Sequence, residues 1–220
     1  MRSPRDTDRT GSVHPFDDRT HAGRLLAEGL AEAGVEAGTV VLGLLRGGVP
    51  VAAEVARRFA CPLGALAVRK IGMPGQPELA RGAVTANGAL ALNDLAHRTP
   101  ELEVAVARAR AEAEAIEQRF RPPDGGPPVG GRSVILVDDG LATGATMRAA
   151  VAGVRLDGAV RITVAVPVGS ASACSLLSRE ADRVVCVAVP SPFGAVGNWY
   201  RNFAQLGDDD VRSVLLPSGG

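Results

Sequence analysis

The stretch that most constrains this chain is Ser133-Val-Ile-Leu-Val-Asp-Asp-Gly-Leu-Ala-Thr-Gly-Ala-Thr-Met147. Val134–Val137 is an unbroken apolar run, as expected of a strand buried on both faces of a parallel sheet. Asp138 and Asp139 follow where that strand should end. Small residues then lead into an apolar helical pattern over Met147–Leu156. A strand that stops at a helix N-terminus presents unpaired N–H groups and the positive end of a dipole to an anion. Gly140 and Gly144 let the backbone curl around a phosphate, and Thr143 and Thr146 add hydroxyl donors. Two carboxylates beside such a cradle would repel a bare phosphate. They make sense if they hold sugar hydroxyls or a hydrated Mg²⁺, a hard cation that favours oxygen. The inferred ligand is therefore a ribose 5-phosphate. A Walker A loop is excluded because no Lys follows Gly144, and the dinucleotide Gly-x-Gly-x-x-Gly pattern is absent from this turn.

Thr39–Leu45 reads as a second buried strand, followed by Arg46-Gly47-Gly48 and by Pro50 in the opening turn of a helix to Phe59. This second strand–glycine–helix turn offers a guanidinium and exposed amides, which suit a pyrophosphate. Leu63–Val68 reads as a further strand ending at Arg69-Lys70. Of 24 Lys plus Arg, only Lys70 is a lysine. An ammonium is a compact point charge suited to a diphosphate, and the C-terminal end of a strand is the functional edge of such a sheet.

The chain from Phe16 onward resembles the type I phosphoribosyltransferase family, in a poorly characterised branch. The resemblance rests on Val134–Thr146, on Leu44-Leu45-Arg46-Gly47-Gly48-Val49-Pro50 and on Ala195-Val196-Gly197-Asn198-Trp199-Tyr200. It implies an enzyme that uses phosphoribosyl diphosphate (PRPP) and Mg²⁺ to transfer 5-phosphoribosyl to a nitrogen acceptor, releasing diphosphate, in nucleotide salvage. The alternative is a PRPP- or nucleotide-binding regulator without turnover. The implied catalytic set is Asp138, Asp139, Lys70 and Arg46. Gly140, Leu141, Ala142, Thr143, Gly144, Ala145 and Thr146 would bind the 5-phosphate. Arg46, Gly47, Gly48 and Lys70 would bind pyrophosphate, with Arg46–Gly47 as the candidate non-proline cis peptide. Any metal would be Mg²⁺ carried by PRPP, with Asp138 and Asp139 as candidate ligands. Hypoxanthine-guanine members place a carboxylate where this chain has Ala142, so the acceptor's proton is handled elsewhere or the acceptor is not a 6-oxopurine. The Gly- and Pro-rich stretch 71–82 is either a lid over the diphosphate or a plain crossover.

The remaining chain fits one domain over residues 16–220 behind a polar tail over residues 1–15. Asp17 or Asp18 can cap a first helix running to Ala33. Residues 83–86 and 89–92 around Asn87-Gly88 form a hairpin pattern. Thr99-Pro100-Glu101 opens a long helix whose stripe Leu102, Val106, Ala109, Ala113, Ile116 and Phe120 packs on the sheet or on a second subunit, which leaves a homodimer open. Val160–Val166 and Arg183–Val189 are the last buried strands. The alternation predicts an α/β fold: an open, mostly parallel twisted sheet flanked by helices, Rossmann-like, with a small C-terminal hood and a long inserted helix. Phe193, Trp199, Tyr200 and Phe203 cluster near the C-terminus, either to stack on a planar acceptor or to tie the tail to the core.

Bulk composition excludes several classes of partner. Acidic and basic residues balance at 24 each, which argues against nucleic acid or an anionic membrane. No apolar stretch reaches the ~20 residues of a membrane span. Cys61, Cys174 and Cys186 read as small apolar residues in a reducing cytoplasm, not as a disulfide set or metal site. His14, His21 and His97 fall outside the strand-end sites.

Overall fold

The computed structural model describes residues 15–72, 81–93, 99–123 and 125–215. The polar tail up to residue 14, residues 73–80 of the candidate lid, His14 and His97 lie outside these. A five-stranded sheet forms the centre. Its strands are β1 (Val40–Leu44), β2 (Leu63–Leu66), β6 (Ser133–Val137), β7 (Arg161–Val168) and β8 (Arg183–Ala188), in the order β2-β1-β6-β7-β8. All neighbouring pairs are parallel.

Side chains alternate faces along these strands, and the two faces carry different helices. Val41, Ile135, Val137 and Ala165 pack against Leu26, Leu30, Val51 and Val55 of α1 (Arg19–Ala33) and α2 (Gly48–Phe59). Val40, Leu42, Leu136, Val164 and Val166 pack against Met147, Val151 and Val154 of α4 (Ala145–Leu156), and against Ala173 and Leu177 of α5 (Ala171–Leu177). Asp18 caps α1 by accepting from the His21 N–H at 2.8 Å. A Cβ at Gly43 would fall 2.7 Å from Val49 Cα, so this glycine lets α2 close against β1.

This two-sided arrangement fixes where a ligand can sit. β1 and β6 are neighbours, yet α2 leaves β1 towards one face while α4 leaves β6 towards the other. A crevice opens at the carboxyl ends of two such strands, at the switch point of the topology. The Arg46-Gly47-Gly48 turn and the Asp138-Asp139 pair stand at those two ends.

A second sheet departs from the sequence expectation. The run from Leu63 to Lys70 is two strands, broken at Ala67. β3 (Val68–Ile71) leaves the parallel sheet and pairs antiparallel with β4 (Gly82–Thr85), which pairs with β5 (Leu90–Leu92). Lys70 therefore lies opposite Ala83 in this small sheet, not at the end of a parallel strand. The hairpin itself has the expected bounds to within a residue. The long helix α3 (Pro100–Phe120) starts at Thr99, whose hydroxyl accepts from the Leu102 N–H. Its stripe packs within the chain: Leu102 and Ala109 meet Ile71 and Val84, while Phe120 meets Val49 and Val211 of α6 (Asp208–Leu215). β8 is a half-exposed edge strand, not a buried one, with Val187 at 42% exposure. The three cysteines are free and half-buried, and burial pushes the Cys186 thiol up to about 12. No helix among the described residues is long and apolar enough to cross a membrane.

Candidate functional site

Asp138 and Asp139 sit where β6 ends. Asp138 Oδ1 accepts the Asp139 N–H at 2.9 Å. Burial pushes the Asp138 carboxyl well above the ordinary aspartate range, and the neighbouring Asp139 pushes the same way. Burial also raises Asp139, but an arginine opposes it: Arg19 Nε donates to Asp139 Oδ2 at 2.9 Å. Arg19 is the first residue of α1, and sequence reasoning does not single it out. Its contact spans 120 positions of chain, beyond the reach of local pattern. The Tyr200 hydroxyl donates to the Asp139 carbonyl at 2.6 Å.

The Arg46-Gly47-Gly48 turn after β1 meets this pair directly. A Cβ at Gly47 would lie 2.1 Å from Asp139 Oδ2, and one at Gly48 would lie 2.4 Å from the Val137 carbonyl. Both glycines are required by close approach. The non-proline cis peptide bond among the described residues is Leu45–Arg46, one residue earlier than the Arg46–Gly47 bond the resemblance pointed to. Arg46 turns towards the C-terminal segment: its guanidinium donates to the Leu206 carbonyl at 2.6 Å and stands 3.8 Å from Asp208.

The loop after the acids is built for backbone contact, with two corrections. Gly144 caps α4 at φ 83°, a conformation that favours glycine, and no side chain caps this helix or adds an acid to its first turn. The helix end is thus suited to an anion. Leu141, however, is buried, and its N–H is committed to the Val168 carbonyl at 2.9 Å. Leu141 anchors the loop and cannot grip a phosphate through its amide. Gly140 lies against Val196, where a Cβ would come within 2.5 Å of Cγ1, so packing rather than a curl around an anion requires it. The Ala142 carbonyl accepts from the Ser170 hydroxyl, while Ala142 and Thr143 are exposed and Thr146 is half-buried.

Two cavities open on either side of the acid pair. One, of about 810 Å³, brings Asp138, Thr146, Leu45 and Lys70 together between the small sheet and α3. Arg69, beside Lys70, pairs with Glu112 of α3 at 2.9 Å. The other, of about 480 Å³, is lined by Asp139, Arg19, Arg46, Gly47 and Phe203. Asp139 and Arg46 therefore share a cleft. Among the described residues no group of three or more His, Cys, Asp or Glu could hold a metal by itself.

Apart from Phe203, which lines the second cavity, the C-terminal aromatics do not form an open platform. Tyr200 is 3% exposed and packs between Phe16 and Phe203, with ring centroids 5.3 and 5.0 Å away. The Trp199 indole N–H donates to the Phe193 carbonyl. Tyr200, Phe193 and Trp199 pack together around Phe16 and Val168, so these rings tie the chain end to the core. Tyr200→Phe keeps the ring and deletes a buried hydrogen bond. It is expected to cost about 1–2 kcal/mol in urea unfolding, with the KM for any acceptor unchanged.

Comparison with known proteins places this geometry in a family. The sequence model of the phosphoribosyl transferase domain matches residues 19–197. The chain belongs to the phosphoribosyl transferase domain family. Two relatives, both from Mycobacterium tuberculosis (strains H37Rv and CDC 1551), carry the names "Putative phosphoribosyl transferase Rv0571c" and "Putative phosphoribosyl transferase MT0597". Each is 47% identical over 205 residues, covering 91% of this chain. The chain spans 46% of the length of those relatives. The crystal structure of TT1426 from Thermus thermophilus superposes with a TM-score of 0.80 at 47% identity, covering 93% of this chain and 99% of that one. The family's α/β core is thus the parallel sheet and its helices, with the acid pair at its switch point.

Proposed function

We propose that this phosphoribosyl transferase domain binds PRPP with Mg²⁺ across the ends of β1 and β6 and transfers its 5-phosphoribosyl group to a nitrogen heterocycle. The observation that carries this reading is the meeting of the two turns, with Gly47 and Asp139 in such contact that no side chain fits between them. A donor with a phosphate at one end and a diphosphate at the other needs two anion cradles separated by a sugar-binding acid pair, and the acid pair lying between two glycine turns supports this reading.

The chemistry asked of these residues is positioning and charge stabilisation. The amides at the start of α4, with Thr143 and Thr146, hold the 5-phosphate. Asp138 and Asp139 hold ribose hydroxyls and face the positive charge that develops on the ring as the bond to diphosphate lengthens. Gly47 and Gly48 offer amides to the departing diphosphate. Lys70, in the cavity on the Asp138 side, and Arg46, in the cavity on the Asp139 side, approach the donor from opposite sides of the acid pair. Asp138 and Asp139 would be the protein ligands of a PRPP-borne Mg²⁺, which would supply charge neutralisation at the diphosphate.

The test is diphosphate release from PRPP with Mg²⁺ and a panel of purine, pyrimidine and pyridine bases. Acceptor-dependent release that chelation abolishes is the expected result. Tight PRPP binding without release for any acceptor would instead make the domain a PRPP sensor.

A further inference from the structure

Arg19 is held from three directions. Its Nε donates to Asp139 Oδ2 at 2.9 Å, a second nitrogen donates to the Ala204 carbonyl at 2.9 Å, and the guanidinium carbon lies 4.0 Å from the centre of the Phe203 ring. The Arg19 and Asp139 side chains are only 11% and 15% exposed. A charge-assisted hydrogen bond in such surroundings fixes both partners, and only a guanidinium can donate along one edge while lying flat on a ring. On its other side, Asp139 Oδ2 faces the backbone of Gly47. The carboxylate is thus clamped between α1 and the β1 turn, and it cannot rotate without breaking the Arg19 bond.

These contacts all run from α1 to the acid and to the C-terminal segment. None of them joins Arg19 to the 5-phosphate loop. We propose that Arg19 is a positioning residue: it sets the Asp139 carboxylate for the sugar. This rests on the PRPP reading above. It explains why the first turn of α1 carries a part-buried arginine, and why Phe203 and Ala204 return to contact it.

The experiment is calorimetric binding of three ligands, each with Mg²⁺, to the full chain: PRPP, ribose 5-phosphate and inorganic diphosphate. Arg19→Ala is expected to weaken both sugar ligands by about tenfold while leaving diphosphate within roughly twofold, as a pair coupled through one carboxylate predicts. Arg19→Lys, which keeps the charge and leaves less risk of misfolding, should lose part of the sugar affinity and none of the diphosphate affinity. Equal losses for all three ligands in Arg19→Lys would mean a direct phosphate contact or a purely structural role, and would overturn the proposal. Unchanged binding of all three would overturn it as well. A wild-type chain that binds diphosphate but neither sugar ligand would remove the PRPP reading and this inference together, which is a different outcome from a loss confined to the variants.

Discussion

Gly47→Ala is expected to lower turnover by about 10²-fold while leaving the fold in place, because the new methyl group lands on the side chain of Asp139, the acid proposed to hold the sugar, and not on the backbone. The native φ of Gly47 is −61°, which any residue adopts, so no conformational penalty enters. The added Cβ would lie 2.1 Å from Asp139 Oδ2 and 2.6 Å from its Cγ. Something must move, and the side chain of Asp139 can. Moving it breaks the 2.9 Å bond from Arg19 and carries the carboxylate away from the proposed sugar position. Gly48→Ala provides the contrast. Its Cβ would lie 2.4 Å from the Val137 carbonyl and 2.9 Å from Asp138 Cα, and both are backbone atoms of β6 and its exit. That overpacking should cost about 1–3 kcal/mol or more of folding stability. Steady-state rates beside urea unfolding curves separate the two. A Gly47→Ala protein with full activity would mean that Asp139 is not placed by this turn. A Gly48→Ala protein as stable as wild type would mean that the β1 turn does not approach β6 so closely.

The parts of this site that local sequence announces are those made by a single strand–turn–helix unit. The acid pair, Gly144 at the start of α4 and the Arg46-Gly47-Gly48 turn each lie within a few residues of the strand that positions them, so apolar runs and glycine placement are enough. The parallel sense of the central sheet follows from the same runs and the helices between them. Legibility ends where distant segments meet. Leu63 to Lys70 reads as one strand because Ala67 does not interrupt the apolar pattern. Only the presence of the β4–β5 hairpin as an alternative partner draws Val68–Ile71 into a second sheet. Arg19 and Tyr200 reach Asp139 from opposite ends of the chain. Nothing in the composition around Tyr200 separates a ring that stacks on a ligand from one that fills a core. Gly140 reads as part of a phosphate curl because of its place after the acids, whereas its constraint comes from Val196, more than fifty residues later.

Asp138→Asn should lower turnover by about 10²–10³-fold and at the same time make the ligand-free protein more stable at pH 8. The stability gain follows from the sign of the carboxyl's shift. In the folded chain Asp138 is raised well above its ordinary value of 3.8 by burial first and by Asp139 second. Below about pH 3.8 both folded and unfolded chains carry the proton, and the group takes nothing from stability. As pH rises past that point the unfolded chain releases its proton while the folded chain still holds it, so folding weakens with rising pH until the folded-state value is passed. Asparagine cannot titrate, and its Oδ1 can still accept the Asp139 N–H. The difference between variant and wild type should therefore be small near pH 4 and larger at pH 8, shifting Tm upwards at about 2–4 °C per kcal/mol gained for a chain of this size. Asp139→Asn should gain less, because Arg19 already stabilises its charge and would be left buried without its partner. Urea unfolding at three pH values reads both variants. A pH-independent offset, or a loss of stability in Asp138→Asn, would show that the buried acid is not held at a cost to the fold. The two-acid crevice would then be a packing feature of β6 and not a site kept charged for a ligand.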